Sequence, residues 1–401
     1  MIVFLALIPA YVLSIFYRSF LSVIAAPVMA DLNIGPRELG FMASSWFVAF
    51  ALAQFPVGWA LDRLGPRRTV LPPMLAGAMG AFLFAFAPDV ATASIAMALI
   101  GIGCSPVFMG ALYVFARLPD KGRFAGLTSL FIILGSAGNL LGTAPLGRLA
   151  LAIGWRAAMA GVAGLFLVAV LLVMLFLRDP PKVADANPGD AGIWSGIRAV
   201  LSIRALWFLF PITFGSYAIL VTLRGLWVVP YLSEVHGMTA RDAGDAAFLM
   251  ACTMTFGAIV YAAAERWLGG PKPTMALGSV GFVLCLAALA QWGDRSAVAT
   301  VALFSFTGLV GFNYAILMAH GRSFLPEHLV GRGITLLNFL FIFGAAAMQA
   351  GSGAFIEVWR QSGASSTATF SALHWVFAAI LLACTLVYLG APARAPAARS
   401  S

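Results

Sequence analysis

The stretch "GWALDRLGPRR", residues 58–68, holds one acid and three arginines among glycines, in a chain otherwise almost free of charge. Long apolar runs flank it, residues 38–60 and 69–87. About 20 consecutive apolar residues cross a bilayer as a helix, so the cluster reads as a tight loop between two membrane spans. The same alternation of apolar run and short polar break continues in both directions. The runs fall at 2–29, 38–60, 69–87, 91–116, 125–151, 156–177, 205–231, 244–264, 274–292, 297–319, 333–357 and 368–390. Barrel strands are alternating segments of about 10 residues, and these runs are longer and rich in Leu, Ala, Gly and Phe. Only 10% of the 401 residues are charged, against about 25% in a soluble domain. The fold class is therefore an all-α membrane protein of twelve transmembrane helices.

The bases sort by loop. Of the 24 Lys and Arg, sixteen share the side of Arg63, Arg67 and Arg68, and six (Arg37, Arg148, Arg156, Arg241, Arg295 and Arg360) lie on the other. The excess marks the cytoplasmic side, which puts both termini in the cytoplasm of a multi-pass protein of the inner or plasma membrane. The first run has no basic n-region and carries Arg18 in its middle, so it reads as a span and not as a cleaved signal. Its abrupt start at Met1 leaves room for a short preceding cytoplasmic tail. The net charge of +9 gathers into no patch, which argues against a nucleic-acid partner. Cys104, Cys252, Cys285 and Cys384 all sit within runs and lack metal-ligand spacing. No cofactor, metal or catalytic residue is expected, since no nucleophile motif or phosphate-binding glycine loop occurs.

The longest polar segment, "RDPPKVADANPGDAGIWSGIR" (178–198), divides the chain. Its Pro, Gly, Asp and Ala content reads as a linker ending in a short amphipathic surface helix. The expected domains are residues 1–177, a linker over 178–204, and residues 205–401. The halves repeat at an offset near 205. "IGWRAA" (153–158) matches "EVWRQS" (357–362), "LDRLGPR" (61–67) matches "AERWLGGPK" (264–272), "GRFAGLT" (122–128) matches "GRGIT" (331–335), and Arg18 falls over Arg224. Parallel repeats place a substrate site between the halves, near the bilayer midplane.

The opening stretch resembles the loop motif of the major facilitator superfamily, G-x-L-x-D-R-x-G-R-R, between its second and third helices. Gly58, Asp62, Arg63, Gly65, Arg67 and Arg68 fit it, with Ala60 at the leucine position and Pro66 as a variant. "GSAGNLLGTAPLG" (135–147) loosely resembles that family's fifth-helix glycine motif, though close packing explains its glycines as well. The resemblance implies two pseudo-symmetric six-helix bundles, alternating access, and a gating role for these residues. Physically, Asp62 at the end of the second run can dock on the helix N-terminus after Arg332, where unpaired N–H groups attract an anion. The rival reading is that the arginines only fix topology.

None of the 15 acids lies mid-run, yet Arg18 and Arg224 do. An arginine in the membrane costs at least ~2.5–3.5 kcal/mol and is a functional candidate. Tyr11, Ser14, Arg18 and Ser22 share one helical stripe; Tyr217, Arg224, Trp227 and Tyr231 share another. Two guanidiniums without a carboxylate call for an anion, which their N–H forks bind bidentately. Tyr17, Asn139, Asn338 and Gln349 complete the substrate-site candidates. The pair resembles organophosphate–phosphate antiporters within the superfamily, and "YRSFLSVIAAP" (17–27) resembles the first helix of anion carriers. The expected function is secondary active or facilitative transport of a small carboxylate- or phosphate-bearing solute, by a monomer in the bilayer. Three alternatives stand beside it: a polyspecific efflux carrier with structural arginines bonded to helix carbonyls or to Asn139, Asn313, Asn338 or Gln349; an amino-acid or dipeptide carrier; and a non-transporting sensor or assembly factor. His374 reads as structural, and Pro56, Pro106, Pro145 and Pro211 as kinks.

Overall fold

The computed structural model describes residues 2–116, 124–179, 193–326 and 329–393. These residues are helical throughout, with no strand among them. Ten helices are long and apolar enough to cross a membrane, and two bent pairs bring the number to twelve. Span 1 is Ile2–Phe16 and Leu21–Leu32, bent by 60°; span 5 comprises Phe124–Gly135, Ala137–Leu141 and Ala144–Ile153, bent by 40°. The others are span 2 (Pro36–Leu64), span 3 (Pro66–Ala85), span 4 (Val90–Phe115), span 6 (Trp155–Phe176), span 7 (Phe210–Thr222, continued through Leu223–Trp227 and Val228–His236), span 8 (Ala240–Trp267), span 9 (Pro271–Trp292), span 10 (Ala297–Gly311 and Tyr314–Ser323), span 11 (Val330–Gln361) and span 12 (Ser366–Leu389). Of the linker, residues 180–192 lie outside the described residues; Ile193–Leu201 is the expected short helix and packs against span 11.

The internal repeat is visible in side-chain chemistry. Gly65 and Gly270 each start the following span at positive φ, each followed by a proline. The hydroxyls of Thr69 and Thr274 donate to their carbonyls, both at 2.8 Å. At the face opposite the basic loops, Arg156 donates to Asp31 at the end of span 1, while Arg360 donates to Glu234 near the end of span 7, each at 2.7 Å. Trp155 also donates to Asp31. The arginines of the matched "WR" pairs thus perform the same task in each half: they tie the last turns of the broken first span to the rest of its bundle.

The prolines act differently from the expectation. Span 2 runs unbroken through Pro56, and span 4 through Pro106. Pro106 lacks an N–H, and the Ile102 carbonyl this leaves accepts from the Ser105 hydroxyl instead, at 2.8 Å. Pro211 opens span 7 at its first turn, and only Pro145 lies at a break, starting the last segment of span 5. The bend in span 1, at 17–20, contains no proline. There Arg18 and Ser19 bond back three residues and not four, and the Ser19 and Ser22 hydroxyls donate to the Phe16 and Ser19 carbonyls. Gly135, Gly138 and Gly142 of span 5 pack onto span 1: a Cβ on Gly138 would stand 2.1 Å from the Val12 carbonyl oxygen. They serve close approach, as the packing reading expected.

Candidate functional site: two arginines at broken helices

Spans 1 and 7 cross where each departs from regular helix. Span 1 bends at Arg18. Span 7 widens into a single π turn, Leu223–Trp227, that carries Arg224; such turns mark functional sites often. Gly225 permits the crossing, because a Cβ there would meet the Arg18 carbonyl oxygen at 2.8 Å. The Arg18 backbone thus lies against Gly225, the residue that follows Arg224, and the two arginines sit where their spans cross.

Their surroundings differ. Arg18 is half-buried. Its NH1 donates to the Tyr217 hydroxyl at 3.5 Å, and its guanidinium lies 5.6 Å from the Trp46 ring and 5.0 Å from the Phe50 ring. Arg224 is 1% exposed, and its Nε and NH1 have no hydrogen-bond partner among the described residues. Neither arginine is in an ion pair there. Tyr217 packs against Tyr314 and Phe341. The Tyr314 hydroxyl donates to Asn338 Oδ1 at 3.0 Å. Arg18, Tyr217, Tyr314 and Asn338 thus link spans 1, 7, 10 and 11 around one point.

Other candidates lie elsewhere. Tyr17 turns into the first bundle, its ring against Phe20 and Phe166. Ser14 lies beside the Cys104 thiol of span 4. Trp227 donates to the Ser352 hydroxyl of span 11 at 2.8 Å and is packed, 1% exposed. Tyr231 faces Phe304, Phe370 and His374 within the second bundle, away from the arginines. Gln349 is buried at the crossing of spans 2 and 11, its Oε1 without a partner. Asn139 is half-buried on the Ala137–Leu141 turn, which packs against span 8. Asn313 does not reach an arginine; it donates to Ser216 at 2.7 Å, at the break in span 10. The sequence reading missed Trp46, Phe50 and Tyr314, which sit on other spans and show no connection to Arg18 in linear sequence.

A family model for the Major Facilitator Superfamily matches residues 7–348. The chain belongs to this superfamily. Among similar proteins are a "Probable galactarate/D-glucarate transporter" of Escherichia coli K12 (23% identical over 63% of this chain and 62% of that one), a "Probable sulfoacetate transporter" of Cupriavidus necator (26%, over 58% and 57%) and a "Hexuronate transporter" of Bacillus subtilis (24%, over 60% and 58%). The matched region spans about six tenths of the length of these relatives. Among solved structures, a D-xylose–proton symporter (TM-score 0.78, 12% identity, 98% of both chains) and an inward-facing, occupied bacterial homologue of the human lysosomal transporter Spinster (0.76, 15%, 97% and 96%) share the fold.

In this superfamily chain the halves touch at several levels. Gly40 of span 2 and Gly353 of span 11 meet backbone to backbone, and the Phe55 and Phe339 rings pack in a tilted pair with centroids 5.2 Å apart. Opposite the basic loops, Arg148 of span 5 pairs with Asp245 of span 8 at 2.7 Å. Both are well exposed, 56% and 43%, and exposed pairs contribute about 0–1 kcal/mol. A double-mutant cycle of Arg148→Gln and Asp245→Asn is expected to give a coupling below about 1 kcal/mol; several kcal/mol would show that this pair holds the face shut.

In the 58–68 loop, an acid does dock on a helix N-terminus, but a different one from that expected. Asp179, after span 6, accepts from the backbone N–H of Arg67 at 2.8 Å, at the start of span 3. Gly65 at φ +83° leaves room for it, since a Cβ would lie 2.8 Å from the Asp179 carboxylate. Arg67 also donates to the Met174 carbonyl. Arg63 lies 5.2 Å from the Trp59 ring, Arg68 is exposed, and Gly58 has open space around it. Arg332 stands in the first turn of span 11 and is engaged in a contact. The Asp62 side chain lies outside the described residues.

Proposed function

We propose that this protein transports a small anionic solute, bearing carboxylate or phosphate groups, by alternating access of its two halves, residues 1–177 and 205–401. One observation carries the reading: a guanidinium fully buried at mid-span, with two nitrogens unpartnered and no ion pair among the described residues, on a span that crosses the one bearing a second arginine. An unpaired buried charge is costly unless something pairs with it. A dianion bridging Arg18 and Arg224 would neutralise both. Tyr217, Tyr314 and Asn338 would then bond its hydroxyl or ester oxygens, and Trp46 and Phe50 would hold Arg18 in place. Gln349 and Asn139 remain candidates for the far ends of a longer solute.

The named relatives carry acids: galactarate or D-glucarate, sulfoacetate and hexuronate. A multidrug resistance homologue of Mycobacterium tuberculosis matches a shorter stretch, 41% of this chain. The unpaired Arg224 favours the anion carrier over that alternative. The basic loops are placed in the cytoplasm, with both termini on that side, and the working unit is a monomer. Gly58, Asp62, Arg63, Gly65, Arg67, Arg68 and Arg332 would govern opening toward the cytoplasm.

Thermal shift of the purified protein tests this. D-glucarate, tartrate, sulfoacetate and a sugar phosphate are compared with neutral sugars and hydrophobic cations. A true ligand at a hundred times its Kd stabilises by about 2.7 kcal/mol. At least one anion class is expected to do so, and neutral sugars are not. Stabilisation by hydrophobic cations alone would sink the reading.

A further inference from the structure

Tyr231, removed from the transport site by the tertiary packing, belongs to a second cleft. Behind span 7, at the face opposite the basic loops, spans 7, 9 and 12 enclose a cleft of about 330 Å³. Tyr231, Gln291, Asp294, Ser365, Thr367 and Ser371 supply its polar lining. The cleft lies within one bundle, away from the contacts between the halves.

The chemistry of the lining is opposite to that of the arginine pair. Asp294 is its sole charged side chain. Glu234, which follows Tyr231 on span 7, is committed to Arg360 and Ser366. Tyr231 is 3% exposed as a residue, and its hydroxyl opens onto the cleft, where it makes no hydrogen bond among the described residues. That hydroxyl sits against Gly293, where a Cβ would be 2.5 Å away, and within electrostatic reach of Asp294. The Gly293 carbonyl cannot accept from it readily, being occupied by His236 and the Thr300 hydroxyl. Ser371 is spent on the Ala290 carbonyl. The cleft therefore offers one carboxylate for a cation and, beside it, one O–H donor at its wall that no protein acceptor occupies among the described residues.

We propose that this cleft binds a small ammonium group carrying a neighbouring oxygen, of the 2-aminoethoxy type. Asp294 holds the ammonium through charge-assisted hydrogen bonds, and the Tyr231 hydroxyl donates to the oxygen. A free amino alcohol and an ethanolamine lipid headgroup share this chemistry. The half-exposed Trp292 beside the cleft is of the type found at bilayer interfaces, so both sources can reach it. Occupancy braces Val228–His236, the segment directly after the turn bearing Arg224. The site is thus placed to tune transport without touching the solute.

The test is thermal shift of the full chain in detergent, titrated with ethanolamine, with ethylene glycol and acetate as controls. In parallel, the protein is placed in nanodiscs of phosphatidylglycerol with or without phosphatidylethanolamine. Saturable stabilisation by ethanolamine or by the ethanolamine lipid is expected; the arm that responds identifies the source. It should be lost in Asp294→Asn, kept in part in Asp294→Glu, weakened in Tyr231→Phe and unchanged in Arg224→Gln. The last variant separates this site from the anion site. No saturable shift in either arm, or an equal shift in Asp294→Asn, would overturn the proposal.

Discussion

Arg224→Gln is expected to raise the thermal stability of the empty protein while abolishing most of its response to anions. The two effects share one cause. In the structure the Arg224 guanidinium is buried and leaves Nε and NH1 without a partner among the described residues. Intramembrane arginine costs at least ~2.5–3.5 kcal/mol, and a neutral glutamine removes most of that. A bound carboxylate or phosphate would compensate the charge through hydrogen bonds of about 1.5–3 kcal/mol. Losing them should weaken affinity by roughly 10–100-fold, at tenfold per 1.4 kcal/mol. Uptake at low solute concentration should fall by the same factor. Arg18→Gln should behave differently. Arg18 already has the Tyr217 hydroxyl and two aromatic faces, and cation–π contacts contribute about 0.5–2 kcal/mol each. Its replacement should weaken binding without stabilising the empty protein. If Arg224→Gln instead lowers the melting temperature and leaves anion binding intact, Arg224 is a structural residue and the transport reading loses its support.

Gly40→Val and Gly353→Val should each bring uptake to background by preventing closure of the face opposite the basic loops. A Cβ on Gly40 would lie 2.5 Å from the Gln349 carbonyl oxygen and 3.0 Å from the Gly353 Cα. One on Gly353 would lie 2.4 Å from the Pro36 carbonyl oxygen. These are backbone atoms of the opposing half, which cannot swing away as a side chain does, so the halves must part. The nearby Gly351 has open space around it, and Gly351→Val should transport normally. A reporter thiol, Ala43→Cys on span 2, should label several-fold faster with an impermeant maleimide in the Gly40→Val background than without it. Retained anion-induced stabilisation would show that the variant is folded. Normal uptake with unchanged labelling would mean that this contact does not gate.

Much of the fold was legible in the chain because membrane insertion writes itself into linear sequence. A span needs a contiguous apolar run of fixed length, so twelve runs could be read directly, and two of them proved to be bent pairs. The repeat was legible because loop chemistry is local: Gly-Pro with a threonine three residues on repeats at Gly65 and Gly270, and the tryptophan–arginine pairs recur at Trp155 and Trp359. Proline was a poor guide. A missing N–H can be offset by a neighbouring hydroxyl, as Ser105 does for Pro106, while the bend at Arg18 has no proline at all.

The stripe of Tyr217, Arg224, Trp227 and Tyr231 shows where one-dimensional reading stops. Regular helical spacing put all four on one face, but the π turn at Leu223–Trp227 inserts an extra residue and rotates the rest of the span. Trp227 then bonds to Ser352, and Tyr231 turns to the cleft with Asp294. Composition and charge placement sufficed to specify a twelve-span membrane protein with two arginines inside its spans, because burying charge in lipid is so costly that its presence is informative wherever it occurs; the superfamily was suggested by the resemblance of the 58–68 loop. Which side chains surround those arginines required the folded chain. Trp46 and Phe50 come from span 2 and Tyr314 from span 10, and their convergence with Arg18 depends on helix crossings, bends and backbone contacts at glycine that no local pattern encodes.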